Sequence, residues 1–348
     1  MVSSSADKGI AAAGCVLSLL KAGGNIPADQ EWSKNNLGQR HASTKALGAS
    51  QFSSGGALIP EEVSDELIDL LRDRSVVRSM NPPTMEVAAG RLAIPKKTAS
   101  SNAFYTAENA DIEASEPEFG QVVLDLRKLA ALVPVSNDML RFAGQETVEI
   151  IRNDLVDEIA TRENSVFINS DGSQGKPQGF RNLADPANIT SSNGDTSSDI
   201  ELDLKELKEG LDGANVPNNS RYWLMNSRSF NTLFILRDSN GNLIFPELRS
   251  AQPMIYSSPV LVSNAVKRDL GGSNNESEVF YVEASQLMLG TFGGMEIDVS
   301  DNASYKDSGS LVSAFSRDQQ VVRALLYHDL QVRHNQGIAV KTGVTWGT

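Results

Sequence analysis

The chain has 348 residues, of which 40% are hydrophobic and 22% are charged, so it can bury a large core in about two domains and is not predicted to be disordered. The single cysteine, Cys15, excludes an intrachain disulfide framework, and His41, His328 and His334 lack the spacing of a metal site. The net charge of -13 argues against direct wrapping of nucleic acid, although solubility alone explains it equally well. We therefore predict an intracellular protein without a metal or cofactor.

The first sixty residues are predicted to form an extended arm. The apolar run from Ile10 to Leu20 indicates a short amphipathic helix, and six glycines between Gly23 and Gly56 interrupt the residues after it. A lipoprotein signal is rejected because the best apolar run follows Cys15 instead of preceding it, and the run is too short to span a bilayer. We expect the arm to gain order by lying on a neighbouring subunit.

A first helix is predicted from Pro60 onward. Proline suits the first helical position, acidic residues follow it, and Arg72 and Arg74 lie near the far end, as the helix dipole favours. The apolar stripe of this helix consists of Val63, Leu67, Leu70 and Leu71.

A long hairpin is predicted next. Residues 91–95 alternate as one strand, and Val122, Leu124 and Leu126 alternate as its partner, after which the apolar phase flips to Leu129, which indicates a bend. Residues 104–120 lie between the strands and contain no basic residue. Their acids are Glu108, Asp111, Glu113, Glu116 and Glu118. Such a polar tip cannot support itself by burial, so it needs a partner surface.

The strongest helical pattern runs from Asp138 to Asn169, although Gly144 is a candidate break. Its apolar stripe is Val148, Ile151, Leu155 and Ile159, and its predicted polar surface is Asp154, Asp157, Glu158, Arg162 and Glu163. Turn residues from Asp171 to Pro177 end it.

The second half of the chain is predicted to mix helices and strands. A helix carrying Leu202, Leu207 and Leu211 opens it, and residues 222–245 indicate a buried strand, a helix and a turn. Residues 258–263, 279–282 and 295–299 are predicted strands. The pattern over residues 311–332 fits a helix and a strand equally.

Motifs of enzyme chemistry are missing from the sequence. Residues 290–294, GTFGG, lack the spacing and the lysine of a phosphate loop, and residues 238–242 lack the closing glutamate of a calcium loop. No nucleophile lies in a recognisable motif beside a histidine. We predict that the protein is not an enzyme.

Three segments together resemble the tailed-phage major capsid family. They are YWLMNSRSFNTLFILRDSNGNLIF at residues 222–245, FSSGGALIPEEVSDELIDLLR at residues 52–72, and LVPVSNDML at residues 132–140 with FINSDG at residues 167–172. The resemblance covers about residues 48–341 and implies an α+β subunit with the Hong Kong 97 fold. It also favours a long strand over residues 311–332, where the periodicity is ambiguous. Against the full-length family pattern an N-terminal scaffolding segment is missing, either never encoded or removed.

The resemblance also implies a division of the chain. The N-terminal arm would span residues 1–60, the peripheral domain 61–90, 134–198 and 292–330, the extended loop 91–133, and the axial domain 199–291 and 331–348. The resemblance implies an icosahedral virion shell of pentamers and hexamers, assembled in the host cytoplasm around double-stranded DNA without sequence-specific contacts. Portal and decoration proteins are possible partners. No interaction with a membrane is expected.

Part of the family crosslinks its subunits through a loop lysine, but this chain has Ile112 and Glu113 at the corresponding place and no lysine between Lys97 and Lys128. We therefore expect non-covalent contacts. The acids of the loop are expected to meet bases of a neighbouring subunit. The candidate bases are Arg72, Arg74 and Arg78, and with less support Arg317 and Arg323.

Two rival functions stay open at this stage. An encapsulin-type nanocompartment shares the fold but stores a cargo enzyme, and the long arm and acidic loop favour the phage shell over it. A free hydrolase or binding protein would need neither the arm nor the loop.

Overall fold

The computed structural model describes residues 71, 74–99, 118–142, 145–307 and 309–347. The α-helices in this part of the chain are α1 Val76–Ser79, α2 Asn137–Phe142, α3 Gln145–Asn169, α4 Phe180–Leu183, α5 Ser197–Gly213 and α6 Ser227–Ile235. The first strands are β1 Thr84–Glu86, β2 Arg91–Ala99, β3 Glu118–Asp125, β4 Arg127–Ser136, β5 Ile189–Ser191, β6 Arg221–Met225, β7 Met254–Ile255 and β8 Ser258–Val262. The remaining strands are β9 Ser277–Glu283, β10 Leu287–Thr291, β11 Glu296–Ser300, β12 Ser304–Asp307, β13 Ser310–Ser313, β14 Gln319–Val332 and β15 Ile338–Val344.

One sheet is built around the long strand β14. This strand pairs antiparallel with β4 from Gln319↔Ser136 to His328↔Arg127, and successive segments of it pair with β11 and β10. Strand β1 adds to β10 in parallel. The ambiguous pattern over residues 311–332 is therefore resolved as strand, interrupted by a 3-10 turn at Phe315–Arg317 after the hairpin β12–β13.

A second sheet has the order β5-β15-β9-β6-β8-β7 and is covered on both faces. Alternate residues of β6 point to opposite sides, so Leu224 packs in one core cluster while Trp223 and Met225 pack in the other. The first cluster also takes Phe167 from α3 and Leu330 from β14, so it joins this sheet to the first one. The second cluster lies under α5 and α6.

The strand, helix and turn predicted over residues 222–245 are confirmed. Strand β6 is buried, α6 follows it with Asn226 as its N-cap, and Leu233 is fully buried. In the turn, the Asp238 carboxylate accepts hydrogen bonds from the backbone N–H groups of Asn240 and Asn242, and these bonds lower its pKa. Residues 238–242 therefore form a turn, as the sequence predicted.

The helix predicted from Leu202, Leu207 and Leu211 is confirmed as α5. The residues buried are Ile200, Asp203, Leu204, Leu207 and Leu211. Leu202 is 41% exposed, because the helix begins after its Thr196 N-cap in a phase that turns Leu202 to the surface. Fully buried Lys341 on β15 pairs with Asp203 at 3.1 Å and with Glu206, which fixes α5 on the sheet.

The long helix is confirmed as α2 and α3, and residues 143 and 144, which include the candidate break, lie outside the described residues. Helix α3 has 25 residues and is about 37 Å long at about 1.5 Å per residue. Leu155 and Ile159 are buried as predicted. The prediction for Glu163 is wrong, because this carboxylate is 1% exposed and faces Arg78 and His328.

The hairpin and its bend are confirmed. Strands β2 and β3 pair from Arg91↔Asp125 outward, and Leu92 and Leu124 face each other. The ladder breaks at Leu126, whose backbone N–H donates to the Gly90 carbonyl at 3.0 Å, and β4 then continues with its less exposed residues in the opposite phase. Within the described residues no helix has the length and apolarity needed to cross a membrane.

Candidate assembly surfaces

The hairpin β2–β3 is anchored at one end and exposed at the other. Near its base, Leu124 is fully buried and the Asp125 backbone N–H donates to Asp329 Oδ2 at 2.9 Å. Burial raises the pKa of Asp329, against a smaller opposing effect of this hydrogen bond. At the far end, Phe119 is 72% exposed and Glu118 is exposed beside Ala99. The hairpin therefore presents an apolar side chain and an acid at its outer end.

Most of the predicted acidic contact residues lie outside the part of the chain that the structure describes. Residues 100–117, with Glu108, Asp111, Glu113 and Glu116, lie outside the described residues, as do the predicted arm and Arg72. Glu118 is the one acid of this set that the described strands contain.

The described arginines among those predicted to receive these acids are already paired within the chain. Arg74 donates to the Asn153 carbonyl at 3.1 Å and pairs with Asp157 on α3. Arg317 pairs with Asp307 at 3.1 Å and Arg323 with Asp298 at 2.5 Å. These three are partly or largely exposed, so a neighbouring carboxylate would compete with an existing partner.

Arg78 is different because it is buried. Its Nε and Nη2 atoms donate to Glu163 Oε1 and Oε2 at 2.8 and 2.9 Å, and the Ser75 hydroxyl donates to Oε1 at 2.8 Å. His328 Nδ1 lies 3.2 Å from Oε2. Burial would raise the pKa of Glu163, but Arg78 and His328 outweigh it and lower this pKa to about 2. We call these four side chains the Glu163 cluster.

A cavity of about 240 Å³ opens over the Glu163 cluster. Its basic lining residues are Arg127 and Lys128 of β4, Arg162 of α3 and Lys176 after α3. Glu163 and His328 also line it, and we call it the basic pocket. Arg127 pairs with Asp125 at 2.8 Å, whereas Lys128, Arg162 and Lys176 form no ion pair with any described residue. The sequence reading missed this pocket, because its residues lie on separate elements.

Large apolar side chains are exposed on α2, β4, β13 and the 3-10 turn before β14. Asn137 donates to Asp318 through its backbone N–H at 3.0 Å and through its side chain at 2.6 Å, which holds α2 beside this turn. The exposed residues are Leu132, Met139, Leu311 and Phe315, the last two at 74% and 77%. Large apolar side chains exposed to this degree are typical of a surface that another molecule covers.

A search for metal sites among the described residues finds no cluster of three or more candidate ligands.

Comparison with known proteins assigns the class. The sequence profile of the phage capsid family matches residues 55–343. The major capsid protein of Klebsiella oxytoca phage phiKO2 is 33% identical over 337 residues, covering 94% of this chain and 77% of that protein. A capsid polyprotein of Pseudomonas phage PAJU2 is 23% identical over 327 residues, covering 88% of this chain and 48% of that protein.

Solved structures share the fold. A structure titled Mycobacterium phage Adephagia superposes with a TM-score of 0.61 at 15% identity, covering 77% of this chain and 89% of that one. The capsid of an empty GTA particle superposes with a TM-score of 0.60 at 14% identity, and the match covers 85% of this chain and 94% of that one.

The chain belongs to the phage capsid family and has its α+β fold of the Hong Kong 97 type. It is a structural subunit of a virion capsid, and these matches favour that function over the encapsulin-type compartment.

Proposed function

We propose that this subunit forms pentamers and hexamers of an icosahedral shell that encloses double-stranded DNA without sequence-specific contacts and without catalysis. The exposed end of the hairpin β2–β3 supports this proposal most directly, because Phe119 and Glu118 lie at the end of a two-stranded ribbon that has no core of its own. Contacts that are weak singly become strong when many close in one symmetric particle.

We propose a division of the chain that follows the two sheets, with three changes to the predicted boundaries. Residues 127–133 fell in the predicted extended loop but belong to β4, which pairs with β14, so we assign them to the peripheral domain. Strand β5 fell in the predicted peripheral domain but pairs with β15, and β10 fell in the predicted axial domain but pairs with β14. We therefore assign β5 to the axial domain and β10 to the peripheral domain. Core residues shared by both sheets make these domains one packed unit.

The assembly contacts are proposed in two places. The acids Glu108, Asp111, Glu113, Glu116 and Glu118 would contact bases of a neighbouring subunit. Of the described arginines predicted for this role, Arg74, Arg317 and Arg323 would have to exchange an existing exposed partner, and Arg78 would have to leave buried Glu163. Arg72 lies outside the described residues and stays a candidate. The exposed group around Phe315 would be covered by another copy. Portal and decoration proteins are further possible partners.

Particles purified from cells that carry the phage test the enclosed content. We expect DNA that resists nuclease until the particles are opened, in amounts that scale with the capsid protein. Particles that contain a stoichiometric enzyme and no DNA would instead support the compartment function.

A further inference from the structure

The basic pocket is lined by four cations, and an acidic segment of the same sequence carries the complementary charge. Three of its four cations have no ion-pair partner among the described residues, and Glu163 at its base is already neutralised by Arg78. The pocket therefore presents net positive charge on a protein whose net charge is -13. Such a site favours carboxylates or phosphates.

The segment 108–118 is the matching piece of the chain. It has five acids and no base, and its last acid, Glu118, is exposed at the end of β3. From Glu118 to Asp125 the strand β3 runs about 24 Å at about 3.4 Å per residue, and the pocket residue Arg127 follows directly. The strand thus places Glu118, the one described acid of the segment, at the end of β3 away from the pocket of its own subunit.

We propose that the basic pocket binds carboxylates of the acidic segment 108–118 from a second copy of the chain. This inference rests on the proposed shell function and makes it specific, since it moves the receiving site from the already paired arginines to Lys128, Arg162 and Lys176. Phosphates of DNA are the other anions that fit the pocket chemistry. The carboxylates are favoured because the segment 108–118 has five acids and no base, which complements the positive charge of the pocket.

Reversing the charge of two pocket residues tests whether the cations of the pocket attract the acidic segment. In the full chain, Arg162→Glu with Lys176→Glu should raise the protein concentration needed for half-maximal assembly about tenfold at low salt. The difference should shrink at high salt, because salt screens surface charges. The matched control is Lys267→Glu with Arg268→Glu, which reverses two exposed cations on another surface and should leave assembly unchanged. Adding Glu113→Lys and Glu116→Lys to the pocket variant should restore assembly.

Disulfide trapping tests which copy supplies the acids. In a Cys15→Ser background, Glu113→Cys with Lys176→Cys should give multimer ladders from oxidised particles on non-reducing electrophoresis. Monomers with an internal disulfide would overturn the inference, and so would unaltered assembly of the pocket variant at every salt concentration. Normal assembly with loss of nuclease-protected DNA would assign the pocket to phosphates. If the unchanged chain forms no particles, the proposed function fails, and this inference with it.

Discussion

At the residue scale, Glu163 joins parts of the chain that are distant in sequence. Its carboxylate on α3 is held by Arg78 and Ser75 beside α1 and lies against His328 on β14. A buried ion pair is not strong evidence of stability by itself, but removing one partner leaves the other charge buried and uncompensated.

We predict that Glu163→Gln destabilises the isolated subunit by about 3–5 kcal/mol, because it leaves the Arg78 guanidinium buried without its counter-charge. Denaturant unfolding measures this. Glu158→Gln is the control, since Glu158 is exposed on the same helix and should change stability by less than about 0.5 kcal/mol. Equal losses of stability in the two variants would show that the Glu163 cluster stabilises the subunit no more than an exposed carboxylate does.

The pH dependence of stability follows from the same carboxylate. Its pKa is lowered from 4.5 to about 2 on folding, so the unfolded chain binds the proton more readily. The stabilisation is therefore fully present above about pH 5 and is lost as the pH falls towards 2. Unfolding measured across this window should show a smaller loss on acidification for Glu163→Gln than for the unchanged chain. An identical loss would assign the acid sensitivity to other groups.

Periodicity could not reveal this cluster. A glutamate between Arg162 and Asn164 fits a solvated helix face, and nothing in the sequence links it to Arg78 or His328. The same limit applies to Leu202, whose apolar side chain is consistent with a buried stripe until the phase of α5 is known. By contrast, the strand Trp223–Met225 was predictable because a short apolar run bounded by turn residues has few other structures available.

At the element scale, the turn that ends α3 depends on close backbone packing. A Cβ on Gly179 would lie 2.8 Å from both the Ile168 carbonyl oxygen and the Ser170 nitrogen, which are backbone atoms that cannot move aside cheaply. The sequence predicted a turn after Asn169, but this contact depends on how α4 returns against the helix end.

We predict that Gly179→Ala lowers the stability of the subunit by about 1–3 kcal/mol, because it forces the end of α3 and the start of α4 apart. Gly213→Ala is the matched control, since a Cβ there meets nothing within 4 Å and alanine favours the helix. Thermal unfolding of both variants makes the comparison. A Gly179→Ala protein as stable as the control would show that this turn relaxes freely.

The elements that the sequence predicted well are those with a local signal. The hairpin β2–β3, the bend at Leu126 and the helix α3 each follow from periodicity or its interruption. The strands β1 and β5 were missed because each has three residues and is set by its pairing with β10 or β15. For β14, tertiary pairing on both sides decided between two equally good local patterns.

At the scale of the whole molecule, the two sheets and α3 share one core cluster, while Phe119 at the hairpin and Phe315 are largely exposed. The sequence provided the family resemblance and the acidic segment, but the basic pocket required the fold, because it brings β4, α3 and the turn after α3 together.

We predict that the particle separates into monomers on denaturing electrophoresis, since no lysine lies between Lys97 and Lys128 to supply a crosslinking amine. Mass spectrometry of the band should give the unmodified chain mass. Ladders of pentamers and hexamers that persist under reducing conditions, with a loss of ammonia, would contradict it and would direct attention to Lys97 and Lys128 as the nucleophiles.

Electron microscopy of the purified full chain tests the central claim most directly. We expect closed shells whose reconstruction shows fivefold and sixfold capsomers, with the β2–β3 hairpin of each subunit lying on a neighbouring subunit. Monomers or small open oligomers under all assembly conditions, or shells in which each hairpin packs on its own subunit, would contradict the account.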